Sequence, residues 1–121
     1  MLVTRTDEKW NVTIEEQDNQ LGLINTIRYL EKVNDEIGAL QPQNLILELN
    51  LSHLRSANSE LIAQFVMLQS TLVRTDGRLK IVDANPELKS SFDVVMLDKI
   101  IGINYLGQGE EDEDGYSYEE E

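Results

Sequence analysis

Leu45-Ile46-Leu47-Glu48-Leu49-Asn50-Leu51-Ser52-His53-Leu54-Arg55-Ser56-Ala57-Asn58-Ser59-Glu60-Leu61-Ile62 is the stretch that decides the fold. It begins with an almost unbroken apolar run flanked by polar residues, which predicts a strand covered on both faces. Its end opens a different period. Leu61, Phe65, Leu68 and Leu72 recur at three and four residues, with Ile62, Val66 and Val73 in a row beside them. That spacing predicts a helix over 59–75 with a broad apolar face. Asn58 suits the cap of its first turn, because a short side-chain oxygen accepts an orphan backbone N–H there. A core strand thus leads into a helix through a polar loop, at the sheet edge where functional loops gather in α/β folds.

Outward from this stretch the same alternation of periods continues. Upstream, Leu23, Ile27, Leu30, Val33 and Ile37 form one apolar stripe, predicting a helix from about Asn19 to Gly38, with Pro42 following. Before it, residues 2–6 and 10–15 read as two short strands. Trp10, Val12 and Ile14 alternate with polar residues, and Asp7-Glu8-Lys9 is short enough for a hairpin loop. Downstream, Asp76-Gly77 turns the chain into Leu79-Lys80-Ile81-Val82, a third core-type strand. Pro86 is placed like a first-turn helix proline, opening a short helix through Leu88 and Phe92. Residues 94–101 suit another short helix, and Ile103 and Tyr105 a last edge strand. Strands separated by helices imply right-handed crossovers. The expected fold is therefore α/β: a mixed, mostly parallel sheet of four to five strands with an N-terminal hairpin, packed against about four helices. The pattern leaves open whether those helices cover one face or both.

The bulk properties bound the function. At 121 residues the chain is one domain, and a 40% hydrophobic share suffices for a core. It has no cysteine, which removes disulfides, thiolate nucleophiles and cysteine-ligated zinc. The start lacks the basic end and apolar stretch of a signal peptide, and no apolar run is long enough for a bilayer span. A soluble, cytoplasmic protein is expected. A net charge of −13 repels both nucleic acid and anionic membranes, so neither is expected as a partner.

Catalytic constellations are missing. His53 is the only histidine, so Ser-His-Asp and Cys-His arrangements lack their members, and its polar surroundings suit an exposed loop residue. No glycine-rich phosphate loop is present, and the separated acids Asp83 and Asp98 read as solvated. The chain is expected not to be an enzyme, and no cofactor is implied.

In Asn50-Leu51-Ser52-His53-Leu54 and Asn58-Ser59-Glu60-Leu61-Ile62 the sequence resembles a STAS domain. This is the fold shared by anti-sigma factor antagonists and the cytoplasmic ends of sulphate transporters. The family pattern is Asp/Asn-Leu-Ser/x-x-Val/Leu, then Asp-Ser-x-Gly-Leu at a helix start, at that same spacing. Asp76-Gly77-Arg78-Leu79-Lys80-Ile81-Val82 is similar to the family's glycine-turn-strand element. Pro86-Glu87-Leu88-Lys89 is similar to its proline-led helix, and Leu97-Asp98-Lys99-Ile100-Ile101 to the Leu-Asp-Lys-hydrophobic segment that closes it. The resemblance spans residues 1–106, most closely 44–103. It implies an anti-sigma factor antagonist working by partner switching. In such proteins a partner serine kinase, itself an anti-sigma factor or similar switch protein, phosphorylates the serine after the motif aspartate, and a cognate phosphatase restores it. By position that serine is Ser59, with Ser56 a weaker substitute, and Asn58, Ser59, Glu60, Leu61 and Ile62 would meet the partner. Nucleotide and Mg²⁺ would belong to the kinase. A weak homodimer is compatible with the resemblance. Two departures stand out: Asn58 replaces the motif aspartate and Leu61 its glycine. Asparagine brings no charge near the hydroxyl, and leucine adds bulk where partners approach. The alternative is a STAS scaffold or assembly subunit with no phosphorylation switch.

Residues 107–121 form a second region. They carry eight acids and no base; without them fifteen acids face ten bases, a net of −5. Such a composition predicts an acidic, disordered tail that solvates or grips a basic partner. Glu110, Asp112, Asp114 and Glu121 also fall on positions 1, 3, 5 and 12 of an EF-hand-like loop. The chain ends where the exiting helix would start, so no metal site is expected.

Overall fold

The computed structural model describes residues 1–19 and 22–107. The tail beyond Gly107, with its EF-hand-like match at Glu110, Asp112, Asp114 and Glu121, lies outside the described residues, as do Gln20 and Leu21. Strands β1 (Leu2–Arg5) and β2 (Lys9–Thr13) make an antiparallel hairpin closed by Thr6, whose N–H donates to the Lys9 carbonyl at 2.9 Å. Three parallel strands follow: β3 (Ile46–Asn50), β4 (Arg78–Ala84) and β5 (Gly102–Tyr105). Helices α1 (Ile24–Leu40), α2 (Ser59–Val73) and α3 (Lys89–Val94) connect them in turn. The sheet is therefore mixed and five-stranded, in the order β1-β2-β3-β4-β5.

That sequential order answers the question of faces. Successive same-handed crossovers stepping in one direction place all their helices on one side of a sheet. Trp10, Val12, Leu47, Leu49, Leu79 and Ile81 point to that side and are buried. Between them Asn11, Ile46, Glu48, Asn50, Lys80 and Val82 face outward and are only half-buried. The expectation of a strand covered on both faces is thus corrected. Glu48 and Asn50 already broke the apolar run at alternate positions, and they mark the open side.

Helix count and bounds are corrected too. The described residues hold three α-helices and three 3-10 turns, at Glu16–Asn19, Pro86–Leu88 and Leu97–Lys99. α1 starts at Ile24, five residues after Asn19. It also runs past Gly38 to Leu40, and Gln41 closes it in the left-handed region at φ 49°, its N–H donating to the Ile37 carbonyl at 2.8 Å. Gly38 is an interior helical glycine with nothing within 4 Å of where a Cβ would sit. Gly38→Ala is expected to stabilise the domain by ~0.5–1 kcal/mol, read as a rise in Tm. The helix expected over 94–101 is replaced by the turn at Leu97–Lys99, because Met96 adopts φ 55° and ends helical continuity. Pro86 does open the element expected of it: Asn85 caps that turn by accepting the Glu87 N–H at 3.0 Å.

One core lies under the helices. Leu61, Phe65, Leu68 and Leu72 of α2 are all fully buried, as their spacing predicts, whereas Val73 of the second row is exposed. Phe65 meets Phe92 of α3 edge to face at 6.1 Å between ring centroids, fixing α3 beside α2. At the other end, the Arg5 guanidinium lies 4.1 Å over the Trp10 ring and binds Glu36 through both nitrogens, at 2.6 and 3.0 Å. Hydrogen bonding to Arg5 holds the Glu36 carboxyl below the usual carboxylate range. A depressed folded pKa contributes stability above the unfolded value, lost as pH falls through the folded one. The Tm difference between the parent and Glu36→Gln is therefore expected to narrow below about pH 4. It should be small at any pH, since the pair is solvent-exposed.

Candidate functional site

The loop from β3 to α2 is pinned from within. Leu51 and Leu54 are buried in the core, and the Leu51 carbonyl accepts the Leu54 N–H at 3.1 Å and the Asn85 N–H at 3.3 Å. Asn50 accepts the Ser52 N–H at 2.9 Å and donates its amide to Asp83 at 3.3 Å. The loop therefore delivers Asn58 and Ser59 at a fixed place beyond the carboxyl edge of the sheet. Asn58 is extended (φ −107°, ψ 177°) and its side-chain oxygen accepts the Leu61 N–H at 2.9 Å. The expected cap is present. Asn58→Ala is expected to cost ~1 kcal/mol and lower Tm by roughly 5 °C in a thermal melt.

Ser59 is the first residue of α2, and it is exposed. It lies on the lip of a groove of about 490 Å³ that separates the start of α2 from the end of α3. Ala57, Ile62 and Ala63 line one side, and Ser91, Val94 and Val95 the other. No charged side chain lines it. Lys89, on α3, is held 3.3 Å from Asp93 and lies 5.4 Å over the Tyr105 ring.

The structure sorts the expected site residues. Asn58, Ser59 and Ile62 share the groove, and Glu60 is exposed next to it in sequence. Leu61 is fully buried, pointing down into the core, so its side chain is not on the surface where the resemblance would have it meet a partner. Its bulk is accommodated inside, not at the surface. Ser56 lines a separate hollow of about 340 Å³ with His53, Arg55 and Leu23. His53 is exposed, as its polar surroundings predict, and lies apart from Ser59's groove. Among the described residues no three His, Cys, Asp or Glu side chains cluster to hold a metal ion, and no helix is long and apolar enough to cross a membrane. Sequence reasoning missed Ser91, Val94 and Val95. For the two valines the signal was the apolar run Val94-Val95-Met96-Leu97, whose first three residues no helical stripe absorbs; Ser91 carried none.

No protein-family model matches the sequence, and no curated protein matches it significantly. Solved structures do. The NMR structure of the protein TM1081 superposes with a TM-score of 0.67 at 19% identity, covering 91% of this chain and 85% of that one. A crystal structure of TM1081 from Thermotoga maritima, at 1.59 Å, gives 0.63 at 19% identity over 93% and 92%. The chain has their fold. TM1081 is provisionally described there as an anti-sigma factor antagonist. The motif resemblance at 44–103 and the whole-chain superposition therefore agree on the architecture that sets Ser59 at the head of α2.

Proposed function

We infer that this chain is a regulatory protein-binding module of the anti-sigma factor antagonist type, cytoplasmic and not itself an enzyme, in which a partner serine kinase phosphorylates Ser59 and a cognate phosphatase restores it. The observation that carries the reading is the exposed Ser59 at the head of α2, on the lip of an uncharged groove. Phosphorylation adds nearly two negative charges and three strong acceptors. A helix N-terminus tolerates such a group, so the fold survives it. The groove does not: its walls offer apolar contacts and no cation, so a partner seated there would strip water from the phosphate with no counter-charge from this domain. The burial of Leu61 also supports the reading, since that departure from the motif leaves the exposed surface unchanged.

Asn58 favours a second reading, a scaffold or assembly subunit without a switch, because its neutral amide caps α2 but brings no charge beside the hydroxyl. Mass spectrometry separates the two. Incubated with its serine kinase and ATP, the full chain should gain one phosphate on the peptide containing Ser59, and Ser59→Ala should gain none. A kinase that binds the chain yet leaves Ser59 unmodified would remove the switch and leave the scaffold.

A further inference from the structure

We propose that the hollow of about 340 Å³ between the β2–α1 and β3–α2 loops binds a small aliphatic amino acid in its zwitterionic form. The hollow is separate from the groove at Ser59, and the proposal does not depend on phosphorylation there.

Two pinned walls carry opposite charges. On one side His53 and Arg55 flank Leu54, which is buried in the core and donates its N–H to the Leu51 carbonyl at 3.1 Å. That anchor fixes the backbone from which Arg55 and Ser56 reach the hollow. On the other side Glu16 opens the 3-10 turn Glu16–Asn19. The neighbouring acids Glu15 and Asp18 are engaged elsewhere. Asp18 accepts the Glu15 N–H at 2.8 Å, and the Met1 amino group lies 3.2 Å from Asp18 and 3.5 Å from Glu15. Glu16 lines the hollow instead. Among the described residues neither Glu16 nor Arg55 has an ion-pair partner, and they do not pair with each other. An acid and a base thus share one concavity, each unmatched, with Leu23 and Leu54 supplying its apolar lining.

The lining selects the ligand class. Small-molecule sites usually enclose about 300–1,000 Å³, and this hollow falls at the lower end. A simple anion would meet the Glu16 carboxylate, and a simple cation the Arg55 guanidinium. A molecule bearing both charges satisfies both walls. Its carboxylate accepts from the Arg55 fork and the Ser56 hydroxyl, its ammonium donates to Glu16, and its alkyl chain covers Leu23. Such a ligand is neutral overall, so the acidic chain does not repel it.

NMR titration of the full chain with L-leucine tests the idea, beside N-acetylleucine, which lacks the ammonium, and isopentylamine, which lacks the carboxylate. L-Leucine should shift the amides of Gly22, Leu23 and His53–Ser56 saturably. It should bind about tenfold tighter than either analogue, the worth of one charge-assisted hydrogen bond. Glu16→Gln should erase the preference over N-acetylleucine and keep the preference over isopentylamine; Arg55→Gln should do the reverse. Both residues are exposed, so both variants should melt as the parent does. Ser59→Ala should bind L-leucine with parental affinity, whatever a kinase does at that serine. The proposal is overturned by the absence of saturable shifts up to about 20 mM L-leucine. Equal binding of the three compounds, shifts centred on Ser59 and Val94, or an unaltered preference in either charge variant would overturn it too.

Discussion

Gly77→Ala is expected to destabilise the domain by ~3 kcal/mol and to lower Tm by roughly 10 °C. Gly77 follows α2 and precedes β4, and its N–H donates to the Leu72 carbonyl at 2.9 Å. A Cβ built on it would lie 2.3 Å from the Leu45 carbonyl oxygen and 3.1 Å from the Leu45 nitrogen. Those are backbone atoms, so no rotamer change makes room. The same carbonyl accepts the Arg78 N–H at 2.9 Å, and the Asn44 N–H donates to the Thr75 carbonyl at 2.8 Å, so the turn is stitched to the entry of β3 on both sides. Displacing Leu45 disturbs the first bonds of the β3–β4 ladder and a fully buried side chain together. Chemical denaturation checks it: the midpoint should fall with an unchanged slope, because the folded and unfolded states expose the same surface difference. A midpoint within error of the parent would show that the turn yields, contrary to the close approach.

Much of this architecture was legible because period and punctuation agreed. The α2 row Leu61, Phe65, Leu68 and Leu72 reads as helix and is buried as such, and Asp76-Gly77 reads as a turn that packing then makes obligatory. Where the reading failed, a non-local fact had decided the outcome. Whether Ile46 and Glu48 are covered depends on strand order, which no local pattern encodes. Gly38 ought to end α1, but its neighbours Ile37 and Val33 are held in the core, and the helix continues over a poor helix former. Leu61 read as a surface departure from a motif and proved to be a core residue, since its position in the helical row outweighs its position in the motif. The site was half visible. Asn58 and Ser59 carry a sequence signal, whereas Ser91 and Val94 reach the groove only through the packing of Phe92 on Phe65.

That packing is why a change at Ser59 should be felt in binding and hardly at all in folding. Ser59→Asp is expected to lower affinity for the partner about a hundredfold while moving stability by no more than ~0.5 kcal/mol, and upward. The stability half follows from position: Ser59 is exposed, stands in the first turn of a helix already capped by Asn58, and a carboxylate there faces the positive end of the helix dipole. The binding half follows from the groove, where the new charge meets Ile62, Val94 and Val95 and no cation. Ser59→Ala removes the hydroxyl without adding charge and should bind within about threefold of the parent, since one exposed hydroxyl contributes little. Thermal melts beside calorimetric titration with the partner kinase read both halves at once. If Ser59→Asp binds as the parent does, charge at this position does not govern docking, and the partner either approaches the domain elsewhere or carries its own cation to meet Ser59.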